Sequence, residues 1–220
     1  MNRFINALLL FFLLVTMTVA IFVGFDLPIQ FLRLSGANLP YQQEIFLGLG
    51  LIILIINLRR TIRRWMGMRI VKNVSKFKWN VAVSKQRKSR IATYLMLEAT
   101  VMLAAAIGLY LITPEAWLPS VAFLFGVVDN IIFMIVGGSG DRYRVGLSTK
   151  ALIVADREVI LLYFTGLQRV TVHQQSIYFD YIKGLQLSFP TNCIPEDQMD
   201  EFFGQLESCV NRDKVFFIRK

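Results

Sequence analysis

The chain is poor in the residues that most site chemistry requires. Two cysteines and one histidine in 220 residues leave few ligands for a metal ion, because zinc and its relatives are held by Cys, His and carboxylates at short, regular spacing. Cys193 and Cys209 have neither CxxC spacing nor a neighbouring histidine, so the expectation is reduced structural thiols, not a zinc site or a disulfide framework. His173 has no Ser, Cys or second His at motif spacing and reads as an exposed turn residue. Glycines at 48 and 50, and at 137, 138 and 140, match no phosphate-binding pattern between a strand and a helix. No enzyme, no cofactor and no metal is expected. Acid is missing from one place above all: residues 59 to 90 hold twelve Lys and Arg and not one Asp or Glu.

What is abundant is apolar. Hydrophobic residues make up 55% of the chain and the mean hydropathy is +0.53, above the level of an average soluble domain. The net charge of +9 suggests nucleic acid until it is localised. Removing the twelve cations of 59 to 90 from the total of 24 leaves twelve basic against fifteen acidic residues elsewhere. One segment makes the protein basic, and a 32-residue loop between two membrane spans has little room for a nucleic-acid groove, so no nucleic-acid partner is expected.

Four runs have the length and apolarity of membrane spans. They cover 5 to 23, 41 to 58, 91 to 112 and 117 to 137. The first could be a signal peptide, since Asn2 and Arg3 precede it and Thr18-Val19-Ala20 looks somewhat like a cleavage site, but the apolar run continues to Phe25. The second is short and is extended by Tyr41 at one interface and by the stems of Arg59 and Arg60 at the other. Only residues 113 to 116 join the last two, which makes them an antiparallel hairpin.

Cations in short loops orient a multi-pass protein. Residues 24 to 43 carry one, Arg33, and 113 to 116 carry none, so the basic loop 59 to 90 and both termini are expected on the cytoplasmic side of an inner membrane. Within that loop Leu58, Ile62, Trp65, Met66 and Ile70 recur near helical spacing, suiting a helix that turns along the headgroups. Arg59, Arg60, Arg63, Arg64, Trp65, Arg69, Lys72, Lys85, Arg87, Lys88 and Arg90 form the expected anionic-lipid surface. Phe77, Trp79, Val81 and Val83 then alternate with Lys78, Asn80 and Ala82, the period of a strand with one buried face.

After GGSGD at 137 to 141 the chain becomes ordinary globular sequence, giving domains of 1 to 139 and 140 to 220. Six β-like runs follow, at 143 to 147, 151 to 155, 159 to 164, 167 to 172, 176 to 181 and 185 to 189, with turn signals between them. The expected arrangement is a meandering antiparallel sheet. One amphipathic helix closes the chain, with Pro195 at its first turn, acidic residues at its positive end, and an apolar stripe of Met199, Phe202, Phe203, Leu206, Cys209 and Val210. The fold class is α+β: four transmembrane helices followed by a sheet domain capped by one helix.

Residues 142 to 210 resemble the bacterial pleckstrin-homology-like domains attached to small membrane proteins. The resemblance is carried by YRVGLSTKALIV, by REVILLYFTGLQRVTVHQQSIYFDY and by GLQLSFP followed by the acidic-start helix. It implies a curved antiparallel sheet closed at one end by that helix. Six runs are read where such a domain has seven strands, and 74 to 83 is the candidate for the seventh. Relatives that bind phosphoinositides use a basic cluster between the first two strands, whereas Ser148-Thr149-Lys150 offers one cation here. The resemblance points to membrane anchoring and assembly.

Ionisable groups inside spans mark function or structure. Glu98 and Asp129 lie seven and eight residues from the cytoplasmic ends at Ile91 and Gly137, which places both about 10 to 12 Å deep and level with each other. They could share a proton in a cation conduit, or form a structural cluster with Asn130, Tyr94 or Thr100, and the structural cluster is favoured. Ala104 and Gly108 make a small-residue packing face. Arg142, Arg144 and Arg169 could pair with Asp141, Asp156 or Asp180 on the domain surface. The expected role is a non-enzymatic membrane scaffold or subunit, with a protein partner or a second copy of the chain at the sheet face or edge. The alternatives are a proton- or cation-coupled transporter subunit built on Glu98 and Asp129, and a lipid sensor. The expected topology is directly measurable: in spheroplasts, a protease-cleavable tag on the C-terminal tail should resist an impermeant protease that cuts the same tag placed at 113 to 116, and cleavage of the tail alone would reverse the scheme.

Overall fold

The computed structural model describes residues 2–29, 34–210 and 215–219. Arg33, the one cation of the first inter-span segment, lies outside the described residues. The chain folds into two compact units, Met1–Ile62 with Tyr94–Phe133, and Arg63–Thr93 with Met134–Lys220.

The first unit is helical. It contains α1 (Asn2–Gly24), a hairpin of β1 (Pro28–Ile29) and β2 (Leu34–Ser35), most of α2 (Gln42–Lys72), the later part of α3 (Lys85–Ile112) and most of α4 (Trp117–Gly138). These four helices are long and apolar enough to cross a membrane, by length and composition. Their shared core is built from Ile5 and Leu9 of α1, Phe46 and Ile53 of α2, Ala99, Met102, Ala106 and Leu109 of α3, and Ala122, Phe123 and Val127 of α4. Small residues let the helices close. A Cβ on Gly126 would stand 2.8 Å from the Met102 sulfur and 3.3 Å from Asn57 Oδ1, so a larger residue there would push both side chains aside. The small-residue face of α3 differs from expectation. Ala104 is exposed, while Ala99, Ala105 and Ala106 are buried, because the helix is rotated so that the i, i+3, i+7 row through Ala99, Met102 and Ala106 faces inward.

Two departures concern the basic segment. Residues 59 to 72, expected to turn away from the span, continue α2 as a single helix of 31 residues. Residues 85 to 90 are the first turns of α3. Ser84 caps that helix by accepting the Arg87 backbone N–H at 3.1 Å, and its hydroxyl donates to the Asn192 carbonyl at 2.7 Å.

The second unit holds two four-stranded sheets. The six expected strands are β4 (Arg144–Leu147), β5 (Ala151–Ala155), β6 (Val159–Tyr163), β7 (Leu167–His173), β8 (Ser176–Tyr181) and β9 (Gln186–Pro190). They do not form one meander, because the chain changes sheet between β6 and β7. A seventh strand, β3 (Trp79–Ala82), comes from the basic segment and pairs antiparallel with β4, Trp79 opposite Leu147 and Ala82 opposite Arg144. The first sheet therefore runs β3-β4-β5-β6. In the second, β10 (Phe216–Arg219) pairs parallel with β7 to give β10-β7-β8-β9; no periodicity announced β10. Helix α5 (Met199–Cys209) buries Phe202, Phe203 and Leu206. Phe202 packs on Trp79 with ring centroids 5.3 Å apart and on Phe189 at 6.3 Å, so β3 and α5 share one aromatic core.

The ring of Phe77 lies over Gly146, where an added Cβ would meet ring carbons at 2.7 to 2.8 Å. Trp79 is 6% exposed, and Trp79→Ala should cost about 3 to 5 kcal/mol through the cavity it leaves. Limited proteolysis in detergent should show residues 140 to 220 of Trp79→Ala cut much faster than wild type, with exposed Lys78→Ala unchanged; equal resistance would mean the unit is stable without β3.

Candidate functional site

The twelve cations of 59 to 90 divide by what their side chains touch. In the first unit, the Arg60 guanidinium forms an ion pair with Glu98, and Arg60 is 9% exposed. Arg64, which belongs to the second unit, is also buried. These two face inward and leave the expected lipid-facing set. A buried arginine on a half-buried carboxylate offsets part of the large cost that either charge would carry alone in an apolar bundle, so for Glu98 the structure places a cationic partner where a shared proton was considered. Asp129 and Asn130 are both buried on α4, at 9% and 1% exposure, and Asn130 Nδ2 lies 4.0 Å from the Met102 sulfur. Asn57, which no pattern singled out, donates to the Ala122 carbonyl at 3.2 Å.

In the second unit Arg87 reaches the carboxylate of Asp156, Nε to Oδ2 being 2.9 Å, and the Asp156 side chain is 2% exposed. The same carboxylate accepts the Glu158 backbone N–H at 3.0 Å through Oδ1, and the Cys193 thiol stands 3.8 Å from Oδ2. Asp156 is thus no surface residue, and its partner is in the basic segment instead of Arg142, Arg144 or Arg169. Lys88 pairs with Asp141 and holds that carboxyl below its ordinary range. Arg144 donates through Nε to Asn80 Oδ1 on β3 and through Nη1 to the Asp141 backbone carbonyl at 3.4 Å, its charge adding to that of Lys88 on the Asp141 carboxyl, and Asp180 accepts from Gln186 Nε2 at 2.8 Å. Arg63 reaches the Val159 carbonyl at 3.5 Å. Spacing could not reveal the Arg87–Asp156 pair, since 69 residues separate its members; the only local signal was the turn chemistry of Asp156.

The remaining cations, Arg59, Arg69, Lys72, Lys76, Lys78, Lys85 and Arg90, are exposed, and Trp65 is half-buried. His173 is exposed at the end of β7. Among the described residues no group of three or more His, Cys, Asp or Glu is placed to hold a metal ion.

Two grooves indent the second unit away from these internal pairs. One crosses all four strands of the β10-β7-β8-β9 sheet, with a volume of about 620 Å³, and is lined by Arg169, Asp180, Tyr181, Leu185, Gln186 and Phe216 among others. Phe216 is 70% exposed and Leu185 54%. The Tyr181 hydroxyl is buried with no hydrogen-bond partner among the described residues, and burial pushes its pKa up to about 12. The other groove has a volume of about 380 Å³ and is lined by Trp65, Met66, Met68, Arg69, Lys72 and Arg142.

The class that fold and site define is an α+β chain of four long apolar helices and a two-sheet unit with a capping helix. Set against protein-family models, curated proteins and solved structures, the chain matches none of them.

The Arg87–Asp156–Cys193 contacts are testable by stability and by thiol chemistry together. Arg87→Ala leaves a buried carboxylate unpaired and should cost about 3 to 5 kcal/mol. Burial and the Asp156 charge raise the Cys193 pKa, which makes the native thiol inert. In a Cys209→Ser background, native-state maleimide labelling should therefore be negligible for the otherwise unaltered chain and rapid for Arg87→Ala; unchanged labelling would show that the pair does not hold this core closed.

Proposed function

We propose that the protein is a multi-pass protein of the bacterial cytoplasmic membrane whose second unit, a pleckstrin-homology-like domain facing the cytoplasm, acts as a non-enzymatic scaffold for a protein partner. Four plus three antiparallel strands closed by an amphipathic helix support the pleckstrin-homology-like reading, with β3 as the seventh strand. The single observation that carries the scaffold reading is the groove across the β10-β7-β8-β9 sheet. Phe216 and Leu185 stand more than half exposed in a groove that Tyr181 also lines. An aromatic anchor and an aliphatic neighbour, flanked in one concavity by the polar side chains of Arg169, Asp180 and Gln186, are the ingredients of a protein-binding hot spot. Burying each of the two apolar side chains contributes about 1.5 to 3 kcal/mol.

The transporter alternative needs Glu98 to give up and regain a proton as part of its work. Its pairing with Arg60 supports a structural role instead. Glu98→Gln and Asp129→Asn are then expected to leave ion flux in liposomes unaltered, and loss of a proton-dependent flux would favour the conduit.

Affinity purification from detergent-solubilised membranes followed by mass spectrometry tests the scaffold reading. Phe216→Asp with Leu185→Asp should lose a partner that the unaltered chain retains, while exposed Lys76→Asp retains it. Identical sets of co-purifying proteins for all three chains would remove the groove from the proposal.

A further inference from the structure

We infer that the smaller groove is a discrete binding site for the headgroup of one anionic phospholipid, held by Arg69, Lys72 and Arg142 against a wall formed by Trp65, Met66 and Met68. The inference rests on the reading that the four helices cross a membrane, and it deepens that reading by separating one lipid site from a diffuse basic surface.

Charge is the first support. Three cations and no carboxylate line the groove. Arg60, Arg87 and Lys88 are neutralised by Glu98, Asp156 and Asp141, whereas Arg69, Lys72 and Arg142 make no ion pair among the described residues. Arg142 lies outside the basic segment and joins the last turns of α2 only through the fold. Two guanidinium groups and an ammonium around one concavity suit a phosphodiester, because each guanidinium can engage two oxygens at once.

Depth is the second. Helix α2 begins at Gln42 and runs for 31 residues. At 1.5 Å per residue, about twenty residues cover the roughly 30 Å hydrocarbon core, so the core ends near Ile62. Trp65 then falls at the interfacial aromatic level. Arg69 and Lys72 follow within the next two to three turns, and their side chains tilt back toward the helix N-terminus, into the phosphate layer. Met66, which is 57% exposed, borders the groove as an apolar rim on which the first methylenes of an acyl chain can lie. A volume of about 380 Å³ accommodates a headgroup.

Brominated lipids read this site through tryptophan quenching. Trp117 is replaced by Phe so that half-buried Trp65 reports over buried Trp79, and the full chain is reconstituted in phosphatidylcholine vesicles containing brominated phosphatidylglycerol. Quenching should saturate at a low mole fraction of phosphatidylglycerol and exceed that by brominated phosphatidylcholine at equal content. Arg69→Gln/Lys72→Gln/Arg142→Gln should raise the half-saturating fraction by about tenfold or more. Arg59→Gln/Lys85→Gln/Arg90→Gln, an equal charge removal at exposed positions outside the groove, should leave it within about twofold. Equal shifts in the two variants, or equal quenching by the two lipids, would overturn the site in favour of a diffuse surface. Displacement by millimolar inorganic phosphate would overturn the lipid as occupant. Absence of quenching by either lipid would overturn the membrane reading and this inference together, whereas failure of partner capture at Phe216 would leave the quenching curve as it is.

Discussion

A four-residue strand cannot stand alone in water, because half of its backbone donors and acceptors would have no partner and its apolar face no cover. Strand β3 meets that constraint by pairing with β4, and the rest of the second unit follows from it. Trp79, Val81 and Val83 are buried, and Lys78 and Val83 extend the ladder through hydrogen bonds to Leu147 and Tyr143. Ser84 is then in place to cap α3, and Arg87 and Lys88, one turn further on, come within reach of Asp156 and Asp141. The basic segment is therefore a built part of the second unit, not a tether between two helices.

The first unit obeys a different solvent rule. Large aliphatic side chains point outward along its helices, Leu111 at 75% exposure, Leu97 at 63% and Ile55 at 62%, a surface that water would penalise and hydrocarbon would not. Inside, the same chemistry makes a lone charge costly, and Arg60 with Glu98 is the form in which two charges can be kept there. Buried Asn57, Asp129 and Asn130 mark α2 and α4 as the helices where polar groups supplement close packing.

The cations of 59 to 90 fall into two sets. Five of the twelve, Arg60, Arg63, Arg64, Arg87 and Lys88, are buried or half-buried, and seven are exposed. The inward ones are held within the units, and the outward ones stay at the surface. A positively charged loop of the same composition but without β3 would present all twelve to an anionic leaflet and would hold none of them in a fixed geometry. Fixed geometry is what a headgroup or a protein partner can recognise.

Hydropathy and local period were enough to read the four apolar helices, the six strands from 144 to 190, the half-buried alternation at 77 to 83 and the apolar stripe of the last helix, since each of these depends on residues within one or two turns of one another. The two-sheet split, the parallel strand at 216 to 219, the continuation of α2 to Lys72 and the salt bridges were not readable in this way. Arg87 and Asp156 are separated by 69 residues, and Arg60 and Glu98 by a full helical connection; no window contains both members. Composition marked 59 to 90 as basic, but which cations would be neutralised depended on which carboxylates the folded chain brought within 4 Å. Charge along a chain is a local property, and ion pairing is a property of distances that exist only after packing.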